Sequence, residues 1–125
     1  MRLVVVKRQP LRFLFSNASG EAPFGVFALV LTPTRELAVQ LAHQFWILGY
    51  SLHLTLTVVV GGLDNGSQVK RLVTRPHIVI ATPQRLKVLL EDNPEIAQIF
   101  ANTKVIMIMM SFVIFVSFLE CIALF

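Results

Sequence analysis

Continuous apolar runs alternate with amphipathic stretches through the middle of this chain. Such runs occupy residues 26–31 and 77–81, and a further strand is predicted over residues 54–60, whose apolar run is 58–60. Runs of this length without polar alternation are typical of strands that are buried on both faces, as in a parallel sheet. Residues 58–60 are all valine, and β-branched side chains favour strands, so full burial is predicted there too.

The stretches that follow these runs carry apolar residues at helical spacing. They predict helices over residues 33–48, 67–73 and 83–91, with one or two further helical turns over 95–100. The apolar face of the longest helix is predicted to consist of Leu37, Leu41, Phe45 and Leu48, widened by Ala38 and Ala42. Gly49 is predicted to end that helix. Alternation of strands and helices predicts an α/β fold with a parallel sheet and right-handed crossovers.

The two ends of the chain differ from this middle. We divide the sequence into a basic and apolar leader (residues 1–22), the α/β unit (23–104) and an apolar tail (105–125). Glu120 is the one charged residue of the tail. Its length is close to the ~20 residues that a helix needs to cross a bilayer. Its β-branched and aromatic residues also suit a buried strand. Two interpretations of the tail therefore remain, a buried strand or helix and a membrane segment.

Composition narrows the class of protein. Hydrophobic residues make up 55% of the 125 residues and charged residues 14%, which excludes a disordered chain. The net charge of +4 permits an anionic partner. The single cysteine, Cys121, excludes an internal disulfide framework. His43, His53 and His77 lack metal-ligand spacing, so we predict no metal site and interpret them as structural or solvent-facing.

The pattern Thr-Pro-x-Arg occurs twice, each time between a predicted strand and a predicted helix. The copies are Thr32-Pro33-Thr34-Arg35 and Thr82-Pro83-Gln84-Arg85. Threonine is a favoured N-cap and proline a favoured first helical residue. A helix N-terminus attracts phosphate, whereas an arginine in the first turn opposes the helix dipole unless an anion is bound there. An ordinary strand-to-helix turn is the simpler interpretation of one copy. Two copies favour a surface that holds two phosphates of one polymer.

These turns belong to a longer series of motifs. The series is Pro33-Thr34-Arg35-Glu36-Leu37-Ala38, then Gly61-Gly62, then Thr82-Pro83-Gln84-Arg85-Leu86. In this order it resembles the first RecA-like domain of DEAD-box ATP-dependent RNA helicases, over residues 23–104, and is most similar to the nucleolar, ribosome-biogenesis branch. The resemblance implies an incomplete RecA-like three-layer fold and a nuclear or nucleolar location. It also implies sequence-independent binding of single-stranded or structured RNA.

The resemblance further implies which residues contact the RNA backbone. They are Pro33, Thr34, Arg35, Gly61, Gly62, Thr82, Pro83 and Arg85. Glycine permits a close approach of RNA because it has no Cβ. The family usually has glycine where this chain has Gln84, and a side chain there would weaken the contact. His53, Trp46 and Phe45 carry rings of the kind that stacks on bases, but we interpret Trp46 and Phe45 as helix-packing residues.

The positions that serve catalysis depart from the family pattern. Family members use ATP and Mg²⁺, which a Gly-x-Gly-Lys-Thr cradle and an Asp-Glu-Ala-Asp string hold. Before Pro23 the glycine Gly20 stands alone, and the strand that leads to the cradle is expected to be missing or replaced by residues 3–6. Met109-Met110-Ser111-Phe112 occupy the place of the acidic string, and a second RecA-like domain is absent. We therefore predict no catalytic residue, no bound cofactor and no ATP hydrolysis by this chain alone.

Three functional hypotheses remain. The chain is a fragment of a DEAD-box RNA helicase that keeps the RNA-backbone motifs, a small membrane-anchored protein that uses residues 105–125, or the non-functional product of a truncated gene. A transcript that continued after Lys104 into Asp-Glu-Ala-Asp codons would identify the tail as an artefact.

Overall fold

The computed structural model describes residues 2–7, 26–101, 103 and 105–110, and five strands in this part of the chain form one sheet. The strands are β1 (Arg2–Lys7), β2 (Ala28–Leu31), β3 (Leu56–Val59), β4 (Ile78–Ala81) and β5 (Val105–Met110). Their order across the sheet is β1-β5-β2-β4-β3.

Four of these strands run parallel. Ala28 of β2 pairs with Ile78 of β4 on one side and with Val105 of β5 on the other, and β3 joins β4 in the same direction. The predicted parallel sheet is therefore confirmed. Strand β1 differs, because it pairs antiparallel with β5, with Lys7 opposite Val105. Residues 3–6, expected to replace the strand before the cradle, thus form an antiparallel edge strand.

Helices connect the parallel strands. They are α1 (Arg35–Gly49), α2 (Asn65–Val73) and α3 (Pro83–Asp92). Short 3₁₀ helices, Tyr50–Leu52 and Pro94–Phe100, follow α1 and α3. The existence and order of the predicted helical segments are confirmed, with boundaries shifted by one or two residues.

Gly49 is the last residue of α1, as predicted, although the chain does not leave the helix there in a left-handed conformation. It has right-handed φ and ψ angles of −89° and −5°, and the chain continues directly into the 3₁₀ helix Tyr50–Leu52. A Cβ at Gly49 would lie 3.0 Å from the Cβ of Leu54. The glycine therefore permits the chain to return closely against α1. The left-handed residue that ends the helical segment is His53, with a φ of 53°.

Both faces of the sheet are covered, which confirms the three-layer α/β fold. On one face Leu29 and Val79 pack against residues of α2, α3 and the second 3₁₀ helix, which include Leu72, Leu86, Leu89, Ile96 and Phe100. On the other face Val30 and Ile80 pack against Ala38 and Ala42 of α1. Strands β2 and β4 lie between these layers, which explains their continuous apolar sequences.

Two predicted core positions lie toward solvent. Leu48 is 74% exposed because α1 meets the sheet through its small residues Ala38, Ala42 and Gly49. Successive residues of a helix are rotated by ~100° about its axis, so Leu48 points away from the inner face that carries Gly49. Val58 is half-buried rather than buried because β3 is an edge strand, in which buried and half-buried residues alternate.

The aromatic residues of α1 have different environments. Phe45 is half-buried and packs against the core cluster beneath α1, so its interpretation as a packing residue is confirmed. Trp46 is 54% exposed, and its ring meets that of Tyr50 edge-on at 5.6 Å. Trp46 therefore packs on the surface of its own helical segment and not in the core.

The described part of the tail belongs to the sheet. Strand β5 comprises its first six residues, in which Val105, Ile106 and Ile108 are buried. Among the described residues, no helix combines the length and the apolar character that crossing a bilayer requires. Residues 1, 8–25, 102, 104 and 111–125 lie outside the described part, so most of the leader and most of the tail, including Cys121, are not described. The division into leader, α/β unit and tail remains a prediction.

Candidate functional site

The carboxyl ends of β2, β4 and β3 are joined side by side. The backbone N–H of Thr32 donates to the Ala81 carbonyl at 2.9 Å, and that of Thr82 donates to the Val59 carbonyl at 3.1 Å. The parallel ladder therefore continues one residue beyond the strands. As a result both Thr-Pro-x-Arg turns and the loop after β3 start from one hydrogen-bonded edge.

The first Thr-Pro-x-Arg turn is capped by its second threonine. The Thr34 hydroxyl accepts a hydrogen bond from the Leu37 N–H at 3.2 Å, and α1 begins at the next residue, Arg35. Thr32 is buried and its hydroxyl donates to the Thr34 carbonyl at 3.1 Å. The prediction that Thr32 caps the helix, with Pro33 as its first residue, is therefore wrong. A Thr-Pro-Thr sequence offers two caps, and the burial of Thr32 selects the second.

The second turn follows the predicted arrangement. Thr82 is the extended N-cap residue of α3 and Pro83 is its first residue, but the Thr82 side chain makes no capping hydrogen bond. Pro83 is buried, Gln84 is exposed and Arg85 is half-buried. The two copies of the motif thus place their arginines differently, at the first position of α1 and the third position of α3.

Both arginines contact the loop that follows β3. Arg35 donates from Nη1 to the Gly61 carbonyl at 3.4 Å. Arg85 donates from Nη2 to the Leu63 carbonyl at 2.8 Å. Each guanidinium therefore has a protein acceptor that the sequence did not reveal. These contacts partly explain why arginines stand in these turns even when no anion is bound. They also bring the two turns and Gly61-Gly62 together.

The two glycines of the loop are not equivalent. Gly62 has a φ of +82°, and a Cβ there would lie 2.5 Å from Nη1 of Arg35. A side chain at this position would be strained by the backbone and would displace the guanidinium. A Cβ at Gly61 meets no atom within 4 Å. The close approach of the loop to Arg35 thus requires glycine at Gly62 and not at Gly61.

Gln68 links the loop to the second turn, and the sequence analysis missed it. The side chain is 1% exposed. Its Nε2 donates to the Val60 carbonyl at 2.8 Å, and its Oε1 accepts from Nε of Arg85 at 3.2 Å. The sequence did contain one indication of this role. Gln68 lies four residues before Leu72, and that spacing places its amide on the buried face of α2.

Asp64 fixes the exit from the loop. Its carboxylate accepts a hydrogen bond from the Ser67 N–H at 2.8 Å, and its carbonyl accepts one from the Ser67 hydroxyl at 3.1 Å. Asp64 is therefore the N-cap of α2. Within the described ranges, no three His, Cys, Asp or Glu side chains are grouped so that they could hold a metal ion.

The three histidines have the structural or solvent-facing positions that the sequence indicated. His43 and His53 are exposed. His77 lies at the start of β4, and its Nδ1 accepts a hydrogen bond from the Thr55 N–H at 3.0 Å. Burial lowers the pKa of His77 below its ordinary value of 6.5, because the charged ring loses hydration. The neutral ring therefore holds the start of β3 against β4.

The eight predicted RNA contacts all lie on the three segments at this edge, although they differ in accessibility. Thr34, Arg35 and Gly62 are exposed, and Pro33, Gly61, Thr82 and Arg85 are partly exposed. Pro83 is buried. Seven of the eight residues are thus at least partly accessible at this edge, and the neighbouring Gln84 is exposed.

Comparison with known proteins links this surface to a family. A family model described as DEAD/DEAH box helicase matches residues 11–110. The chain is 61% identical over 84 residues to "DEAD-box ATP-dependent RNA helicase 36" of Arabidopsis thaliana. This match covers 67% of this chain and 17% of that protein. It is 48% identical over 86 residues to "Probable ATP-dependent RNA helicase ddx49" of Dictyostelium discoideum, which covers 69% of this chain and 17% of the relative. The chain thus spans about one sixth of the length of these relatives.

A solved structure shares the fold. The structure titled "DEAD-box helicase Mss116 bound to ssRNA and UDP-BeF" aligns with a TM-score of 0.50 and 34% sequence identity, over 62% of this chain and 17% of that one. The family resemblance and the RecA-like architecture predicted from the sequence are confirmed by these matches. The ddx49 relative agrees with the predicted branch.

Proposed function

The chain belongs to the DEAD/DEAH box helicase family, and we propose that the carboxyl edge of its sheet binds the sugar-phosphate backbone of single-stranded RNA. The family relatives are named as RNA helicases, and the solved relative holds single-stranded RNA. Binding at this edge is sequence-independent, because phosphate contacts position a nucleic acid and carry no base information.

One observation carries this proposal: the two arginines converge on the loop that contains Gly61 and Gly62. Each guanidinium donates to one loop carbonyl through one nitrogen, at 3.4 Å for Arg35 and 2.8 Å for Arg85. A guanidinium carries five N–H donors, so donors remain for phosphate oxygens after these bonds. The loop carbonyls thus orient the arginines, and the phosphates complete their hydrogen bonding.

The start of α3 supplies a second kind of contact. Thr82 leaves the first N–H groups of α3 without a side-chain cap, and such groups bind phosphate. The exposed Gln84 stands at the position where the family usually has glycine. Its side chain narrows the approach of RNA to this helix, so Gln84→Gly is expected to tighten binding.

Salt dependence tests the proposal directly. With two neutralised phosphates, the logarithm of affinity for an oligouridine should fall with the logarithm of salt concentration with a slope of about −1.4. Arg35→Ala should reduce that slope by about 0.7 and weaken binding. Arg71→Ala is the matched control, because Arg71 is an exposed arginine on α2 away from this edge. Fluorescence anisotropy across salt concentrations measures both slopes. Equal effects of the two substitutions, or affinity independent of salt, would overturn the proposal.

The family's nucleotide and magnesium do not fit the described residues at the end of β5. Met109 and Met110 stand where the acidic string is expected, and a thioether is a poor ligand for a hard cation such as Mg²⁺. We therefore propose that this chain alone does not hydrolyse ATP, with or without RNA. Phosphate release with ATP, Mg²⁺ and oligouridine should equal that of a buffer blank. Turnover that copurifies with the chain through two different columns would contradict this.

We also propose a nuclear or nucleolar location, based on the likeness to the ribosome-biogenesis branch. Imaging of the tagged chain against a nucleolar marker tests it. A cytosolic distribution, or one that follows membranes, would refute it.

A further inference from the structure

The outer edge of β3 has backbone groups with no partner among the described residues. The carbonyls of Thr55 and Val59 accept hydrogen bonds from Ile78 and Thr82, both at 3.1 Å, so the odd-numbered residues of this strand face β4. Alternate residues of a strand direct their N–H and C=O groups to opposite edges. Leu56 and Val58 therefore direct theirs outward.

The open part of this edge is short and has a definite end. The next outward carbonyl, that of Val60, accepts the Gln68 amide at 2.8 Å, so α2 closes the edge at its carboxyl end. Leu56 and Val58 together leave two donors and two acceptors. An unpaired edge of this kind is a template for the strand of another chain.

A cleft of about 460 Å³ lies beside this open segment. Its walls come from the start of β3 and the last turns of α2, and they include Thr57, Lys70, Arg71 and Thr74. Lys70 and Arg71 are exposed, and neither side chain has a hydrogen bond or an ion pair within the described part of the chain. The cleft therefore combines an unpaired strand edge with uncompensated positive charge.

No described carboxylate lines this cleft. Asp64 caps the opposite end of α2 through Ser67. The dipole of α2 contributes about half a negative charge near Lys70 and Arg71, which cannot neutralise two full positive charges. Arg75, exposed and left-handed with a φ of 55°, adds a third cation directly after the helix.

We propose that this edge binds an extended acidic peptide, which adds a strand to β3 and directs alternate carboxylates at Lys70 and Arg71. Backbone hydrogen bonds to Leu56 and Val58 supply the pairing, and the charged side chains supply the selectivity. Side chains alternate between the faces of a strand, so acidic residues at every second position suit the cations of one helix. An RNA strand lacks the amide N–H groups that this edge requires.

The proposed peptide site lies at the other end of β3 from Gly61 and Gly62. The cleft is lined by residues 55–57 and the pairing uses Leu56 and Val58, whereas the RNA surface uses the loop after the end of the strand. The two sites share none of their charged residues. The peptide proposal therefore stands or falls independently of RNA binding.

The test uses a labelled, acetylated hexapeptide of alternating glutamate and valine with the full chain. Binding by fluorescence anisotropy should weaken about tenfold in the double variant Lys70→Gln, Arg71→Gln. The matched control is Gln40→Glu, Gln44→Glu, which changes the net charge equally on the exposed face of α1. This control should leave peptide affinity unchanged.

A backbone measurement separates strand addition from simple charge attraction. Hydrogen exchange of the Leu56 and Val58 amides should slow when the peptide binds. A hexapeptide N-methylated at alternate residues should not bind, because it cannot pair. Equal binding of the methylated peptide, or no binding at millimolar concentration, would overturn the proposal. If oligouridine displaced the peptide, and if the double variant Lys70→Gln, Arg71→Gln weakened oligouridine binding at this cleft, the cleft would be a second phosphate site and the peptide proposal would be wrong.

Discussion

Gln68→Leu is the substitution that most directly tests how the candidate site is held together. Leucine has a similar volume, so the change removes two hydrogen bonds without leaving a large cavity. The Val60 carbonyl loses the amide donor at 2.8 Å, and Val60 is 1% exposed, so water cannot readily replace that donor. Arg85 loses the acceptor at 3.2 Å but remains half-exposed.

The expected cost follows from these environments. A buried carbonyl without a partner costs about 1–3 kcal/mol, and the bond to Arg85 adds roughly 1 kcal/mol. Burial of the apolar leucine offsets about 1 kcal/mol. We therefore expect a net loss of about 2 kcal/mol in the free energy of unfolding, which is roughly a 30-fold change in the unfolding constant. RNA affinity should fall as well, because Arg85 and the loop lose their common link.

Urea unfolding followed by circular dichroism measures the stability, and anisotropy with oligouridine measures the binding. Gln40→Leu is the matched control, since Gln40 is an exposed glutamine inside α1, and it should change stability by less than about 0.5 kcal/mol. Gln68→Glu keeps an acceptor for Arg85 and removes the donor to Val60, so it should lose stability and retain more RNA affinity. A Gln68→Leu chain as stable as the control would show that the buried amide does not hold the loop.

Three further changes probe other parts of the fold. Gly62→Ala should cost about 1–2 kcal/mol and weaken RNA binding, because of the φ of +82° and the contact with Arg35, whereas Gly61→Ala should be nearly neutral. Urea titration of both variants distinguishes them. Stability should fall as the pH drops below 6.5, because the unfolded chain takes up a proton that buried His77 resists; His77→Asn should flatten this dependence in urea midpoints measured from pH 7.5 to 5.5. Ala38→Leu should destabilise by about 1–3 kcal/mol in the same assay, since Ala38 is fully buried on the face of α1 that packs against the sheet.

The parallel sheet was predictable because burial on both faces leaves a direct trace in sequence. β2 and β4 consist of apolar residues without interruption, and only a covered sheet tolerates that. The edge position of β3 left no such trace. Residues 58–60 are three valines, yet Val58 is half-buried, because the number of neighbouring strands is a property of the whole sheet.

The positions of the site residues were predictable, but their contacts were not. Strand-to-helix turns at Thr32 and Thr82 place both arginines at one sheet edge by topology alone. The cap at Thr34 depended on which of two threonines is buried. Gln68 was missed because a glutamine in a short, polar helix normally faces water, and a single buried amide does not alter the helical pattern.

The pairing of β1 with β5 joins segments about 100 residues apart in the sequence, with Lys7 opposite Val105. Closing a loop of that length costs about 4 kcal/mol in chain entropy before any contact compensates for it. The parallel core of β2, β4 and β3 requires shorter closures, since Ala28 and Leu56 both pair with Ile78. During synthesis β1 leaves the ribosome before β5, which is its pairing partner in the described sheet, so β1 is expected to join the sheet after the parallel core has formed. Pulse-labelled hydrogen exchange during refolding should then find the amides of β1 protected after those of β4.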